Sequence, residues 1–322
     1  MKKRREAAAA LPVVQTAPRG LSGGQLLPGQ GVCERSLYAS LRASVPVVDA
    51  ALGKLVRLLG TFSVVTDDPR AQRTADLFVR EVRVNGSEQG LAAFVSDYLD
   101  SLLTCGEAVG EMLPNADKSG IAALYNADLN DVRIEAGRSP LELLVCRADG
   151  RRAENQALVL ASLLRQKPGT VRGTPLLEGL PFVSGLLLRI FRSLDTNWRR
   201  LGDVRFAVTY DPKDGSFSEE SAQHIAGEWK KAMRSDTVCD FVSVGSVQVK
   251  VIGAEQAMPD CQIPVRVILE QIVAKLGIPP FLLGFSWSST ERMSAQQADI
   301  LTSELEYYRA VTEPAVRKIL GT

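Results

Sequence analysis

Few residues in this chain could do chemistry. His224 is the single histidine, and the helical spacing of "FSEESAQHIAGEWKKAM" puts it beside Glu220, Glu228 and Lys231 on a polar side. That is where a solvated imidazole belongs. Ser286 sits in "GFSWS", which has the opening of a nucleophile elbow without its closing glycine or a preceding strand. A hydrolase using Ser286 with His224 is the only triad-like arrangement on offer. The five cysteines, Cys33, Cys105, Cys146, Cys239 and Cys261, include no C-x-x-C pair, so they read as reduced thiols rather than a metal or redox centre. Asp67-Asp68 and Glu219-Glu220 fall at a turn and a helix start, where the helix dipole favours acids anyway. Phosphate-loop and dinucleotide motifs are absent. We therefore expect no catalytic residue, no cofactor, no metal and no enzymatic activity.

Composition narrows the class. Lys and Arg number 38 against 37 Asp and Glu, so bulk charge neutralisation of nucleic acid is excluded as a binding mode. DNA that slides past without being gripped is not. With 45% hydrophobic residues the chain is ordinary globular material, and its 322 residues suffice for about two domains or one elongated chain. No apolar run reaches the roughly 18 residues of a membrane span. Leu180 to Phe191 comes nearest and is interrupted by Ser184, Gly185 and Arg189. Residues 1–30 open on a basic cluster and continue as "APRGLSGGQLLPGQG", which reads as a flexible arm.

Several elements can be placed by periodicity. Leu37, Leu41, Val45, Val48, Leu52, Leu55 and Leu59 recur at helical spacing, and "FSVV" at 62–65 reads as a strand. A further helix with Leu91, Val95, Tyr98 and Leu102 runs into short strands, giving an α+β domain over 31–173. Thr174-Pro175 looks like an N-cap and first-turn proline. The helix predicted behind it, to residue 201, is the longest clean one. Leu187, Leu194 and Trp198 lie on its apolar stripe, and Arg189, Arg192, Arg199 and Arg200 on its polar side. Residues 202–262 form a small module: a strand at Val204–Tyr210, an amphipathic helix, and one or two strands in "VCDFVSVGSVQVKVIG". A second helix is predicted over about 263–278. "GIPPFLLGFSWSST" then leads to a last helix from about Glu291 to Leu320.

This order of parts resembles the portal proteins of tailed double-stranded-DNA bacteriophages. "PGTVRGTPLLEGL" is similar to the stretch that opens the family's first stem helix. "IVAKLGIPPFLLG" is the most specific match, "STERMSAQQADILTSELEYYRAVTEPAVRKIL" resembles the ensuing helix, and "SLYASLRASVPVVDAALGKL" resembles the opening one. The resemblance implies an elongated α+β portal-type subunit: N-terminal arm 1–30, wing 31–173, stem helices 174–201 and 263–278, clip 202–262, tunnel loop region 279–292 and a long wing helix 293–322. The crown would be short or absent.

It also implies a structural role. The subunit would form a homo-oligomeric, dodecameric ring at one capsid vertex of the virion, assembled in the host cytoplasm. That ring would be a channel for packaging and ejection of double-stranded DNA without sequence specificity. Its partners would be terminase, the major capsid protein and a head–tail adaptor, with no membrane. Ser286, Trp287, Ser288, Ser289, Thr290 and Arg292 would face the channel, where hydroxyls offer weak contacts to phosphates. Trp287 would either pack between subunits or touch DNA. Pro279-Pro280 and Phe281-Leu282-Leu283 would anchor that loop. The four arginines would lie on the stem surface, while Leu187, Leu194 and Trp198 pack between subunits. A head–tail adaptor or another ring-forming virion protein is the alternative, with the Ser286 hydrolase behind it.

Overall fold

The computed structural model describes residues 31–60, 62–117, 120–139, 142–202, 205–211, 246–252, 260–285 and 291–321, with 223 and 227 singly. Two compact units result: residues 1–184 with 271–322, and residues 185–270.

The first unit begins with α1 (Gly31–Ser44) and α2 (Pro46–Leu59). Sequence periodicity reads them as one run, but Val45 precedes a proline and takes φ −125°, ψ 89°, because the proline ring disfavours the α region before it. Pro46 then opens α2 at no cost, since its missing N–H is one of the helix's orphan donors. The expected strand at 62–65 does not form. No strand lies beside it; instead the Gln72 side chain donates to the Val64 carbonyl at 2.9 Å and accepts from the Thr66 N–H at 2.8 Å. Asp68 caps α3 (Pro69–Glu81) by accepting from the Arg70 N–H.

β1 (Arg83–Val84), β2 (Glu88–Gln89), β3 (Glu107–Pro114), β4 (Ile121–Asn126) and β7 (Val159–Leu163) make one sheet in the order β2-β1-β4-β3-β7. Only β1–β4 is parallel. α4 (Leu91–Cys105) lies against β3 and also packs on α1 and α2. Leu52, Leu55, Leu91, Phe94, Leu99, Leu102 and Leu103 are all within 1% of full burial, each contributing about 1.5–3 kcal/mol of transfer free energy. Phe94 stacks on Tyr98 at 5.6 Å. Tyr98 donates to Ser162 at 2.9 Å, and burial pushes its hydroxyl pKa up despite that bond. The hairpin of β5 (Val132–Ala136) and β6 (Leu143–Arg147) closes a second cluster on Val109, Leu129, Ile134 and Val145.

The polypeptide then turns back on itself before the next helix. Leu164 donates to Gly106, Thr174 to Leu164 and Leu176 to Leu103. Thr174 is thus a buried strand-like link, not the N-cap read from the sequence, and Leu176 and Leu177 are core residues in a turn. α5 starts five residues later than Pro175, at Leu180, and runs to Gly202. At 23 residues it is not the longest helix.

In the second unit, β8 (Arg205–Asp211) pairs antiparallel with β9 (Ser246–Ile252), from Arg205 opposite Ile252 to Asp211 opposite Ser246. A single strand therefore forms in the described part of "VCDFVSVGSVQVKVIG". The helix expected around His224 lies outside the described residues. α6 spans Gln262–Leu276, and its last turn buries Ile272, Val273 and Leu276 in the first unit. The 30-residue α7 (Glu291–Leu320) is the longest helix described. Leu301, Leu305, Tyr308, Thr312, Ala315 and Ile319 form its buried stripe at intervals of three and four.

Candidate functional site

The segment linking α6 to α7 is built from two left-handed glycines and a short turn. Gly277 ends α6 at φ 66°, where its N–H donates to Val273; only glycine takes this conformation without strain. Ile278 and Pro279 follow as buried residues. Pro280–Leu283 form a 3-10 turn packed on α2. Gly284 closes it at φ 82°, with its N–H on the Phe281 carbonyl at 3.2 Å, and Phe285 donates to the Pro280 carbonyl at 3.1 Å. The anchor is therefore Ile278-Pro279. Phe281, expected to share that role, is 37% exposed, because its turn presents Leu282 and Leu283 to the unit instead. Ser286, Trp287, Ser288, Ser289 and Thr290 lie outside the described residues. Arg292 stands exposed on the first turn of α7.

On α5, one stripe changes environment along its length. Leu180, Ser184 and Leu187 are 1–2% exposed. Leu194, on the same stripe, is half-buried. Phe191 is 46% and Trp198 68% exposed. Helical periodicity cannot distinguish these halves, since both carry apolar residues at the same spacing. Arg189, Arg192 and Arg199 are exposed. Arg199 pairs with Asp195 at 3.1 Å one turn back, both largely solvated, so the bond contributes at most a few tenths of a kcal/mol. Arg189 and Arg192 form no ion pair among the described residues. The Arg200 side chain lies outside them.

A cleft of about 1220 Å³ opens in the first unit between α1, α4 and β5. Its floor holds Arg35, which donates to Glu107 at 2.9 Å and to the Leu129 carbonyl. Sequence reading missed this pair, whose partners lie 72 positions apart. Cys105 lines the same cleft, and burial pushes its thiol up to about 11, so it is a poor nucleophile. Among the described residues no group of His, Cys, Asp and Glu could hold a metal, and no helix is long and apolar enough to cross a membrane.

No protein-family model and no curated protein matches the chain. Solved structures do. A chain of the virion of the native gene transfer agent (GTA) particle aligns with 91% of this chain and 78% of its own, at TM-score 0.64 and 14% identity. A chain of the neck of the native GTA particle, computed with C12 symmetry, aligns over 80% and 74%, at TM-score 0.55 and 13% identity. The chain has the fold of these particle subunits. At such identities the likeness is one of fold, and it agrees with the α+β portal-type architecture read from the sequence. An HK97-family phage portal protein from Corynebacterium diphtheriae also aligns, over 82% and 84% at 14% identity, but its TM-score of 0.47 carries no weight.

Proposed function

We propose that the protein is a structural portal subunit: a ring-forming component of a phage-like particle whose axial channel passes double-stranded DNA. The observation that carries this reading is the GTA virion fold, matched over 91% of the chain. In this reading residues 31–173 and 293–322 are the wing and 202–262 the clip. Helices 174–201 and 263–278 are the stem, and 279–292 is the channel-facing region. The subunit is not an enzyme; it acts as a conduit and as a platform for terminase, capsid protein and a head–tail adaptor.

The half-exposed stripe of α5 supports the ring. Phe191 and Trp198 continue a face that is buried at Leu180 and Leu187, and a neighbouring subunit is the simplest cover for apolar area of this kind. The bracketed loop supports the channel. Gly277 and Gly284 hold both ends of a rigid turn, from which Ser286–Thr290 project hydroxyls suited to brief, sequence-blind phosphate contacts. Near-neutral charge suits passage, since each phosphate neutralised by a cation would have to be released again.

Electron microscopy of the purified protein tests the class: rings with a central hole are expected, and monodisperse monomers at assembly concentrations would overturn it. Deleting Ser286–Thr290 tests the channel. Rings should still form, while packaged or retained DNA falls sharply; full-length genomes at normal yield would remove the loop from DNA handling.

A further inference from the structure

We propose that residues 2–14 of the N-terminal segment seat in the cleft between α1, α4 and β5 of their own chain. This is independent of the ring reading. Charge is distributed unevenly along the sequence. Residues 1–30 contain five of the 38 basic residues but one of the 37 acidic, leaving 33 against 36 in the remainder. A segment of net charge +4 is therefore tethered to a body of net charge −3.

The cleft has the complementary character. Five carboxylates line it against three guanidinium groups, and one of the latter, Arg35, is already committed to Glu107 and Leu129. Asp97, Asp128 and Glu135 stand at its exposed wall. On α4 the negative charges crowd: burial first, then Glu88 and Asp100, hold the Asp97 carboxyl above the usual range. A cation brought there would relieve that crowding. Between the charges the lining is apolar, with Ala39, Ala127, Ile134 and Val171. The segment has the same order of chemistry: Lys2-Lys3-Arg4-Arg5, then the apolar run Ala7 to Val14, broken only by Pro12.

Tethering favours the arrangement. α1 starts at Gly31, and one turn later Arg35 and Ser36 line the cleft. The 17 residues from Val14 to Gly31 reach at most about 60 Å when extended. The ligand is therefore presented at a local concentration on the order of millimolar, so weak contacts suffice.

Trypsin treatment of the intact chain, followed by mass spectrometry, reads the seating directly. Cleavage after Arg4 and Arg5 should be about tenfold slower than in the Asp97→Lys/Glu135→Lys double variant, as the open fraction sets the rate. Thermal unfolding checks that the variant is folded. If it is not, wild-type protein in 1 M salt replaces it, and the same acceleration is expected. Equal cleavage rates in all three conditions overturn the proposal. Protection that appears only when duplex DNA is added also overturns it, and assigns the segment to nucleic acid. Protection lost on dilution overturns the placement within one chain.

Discussion

Substituting Gly106 should damage this fold far more than its surface position in the sequence suggests. Gly106 caps α4 at φ 78°, and a Cβ built there would lie 2.7 Å from the Pro175 nitrogen and 2.8 Å from the Gly173 and Thr174 carbonyl carbons. All three are backbone atoms, so no side chain can rotate away. On the other side, a Cβ on Gly173 would collide with the Gly106 carbonyl. Left-handed φ costs a non-glycine residue about 1–2 kcal/mol, and forced displacement in a packed region adds about 1–3 kcal/mol. Gly106→Ala should therefore lose about 2–5 kcal/mol in denaturant unfolding of the wing-containing unit. Gly179→Ala is the control: φ is 88° but nothing lies within 4 Å, so only the backbone cost of about 1–2 kcal/mol applies. If the two variants unfold at the same denaturant concentration, the close approach of these backbones is not what Gly106 provides.

Leu187→Asp should cost several kcal/mol, because it places an unpaired carboxylate at a 2%-exposed position; size-exclusion chromatography should find unassembled protein, with Trp198→Ala retaining the fold but weakening self-association. Asp97→Asn should raise stability at neutral pH. Asp97 has its folded pKa raised by burial and by Glu88 and Asp100, so the native state is penalised once the carboxyl ionises; the gain should be full at pH 7, shrink as pH falls through the raised value, and vanish below the unfolded value of about 3.9. Urea unfolding of both proteins at pH 3 and pH 7 checks the sign. Cys105, with its thiol pushed up to about 11, should react with a thiolate-selective reagent at pH 8 about a hundredfold more slowly than an unfolded cysteine, from the thiolate fraction alone.

Local signals in the sequence carried the parts that depend on local physics. The Pro-Pro segment, the apolar stripe of α5 and the strand near 204–210 are each written in neighbouring residues. What escaped was decided at a distance. Nothing near Thr174 shows that its N–H is taken by Leu164, so a good capping dipeptide pointed to the wrong helix start. "FSVV" has strand residues but no strand to pair with, and strand propensity has no meaning without a partner. The cleft joins Arg35, Glu107 and Glu135 from three elements, and no spacing along the chain could bring them together.

The last helix has a bearing on how the subunit is made. Arg309 donates to the Leu58 carbonyl and Lys318 to that of Val159, while Leu301, Leu305 and Tyr308 complete a core begun by α2. Those contacts span up to 251 residues. At about 5–20 residues per second, a ribosome takes roughly 12–50 s to deliver Arg309 after Leu58. Throughout that interval the face awaiting α7 is uncovered, so the nascent wing depends on shielding by other means. A finished, assembly-competent surface cannot exist on an unfinished chain, and synthesis itself thus keeps partial subunits from joining a growing particle.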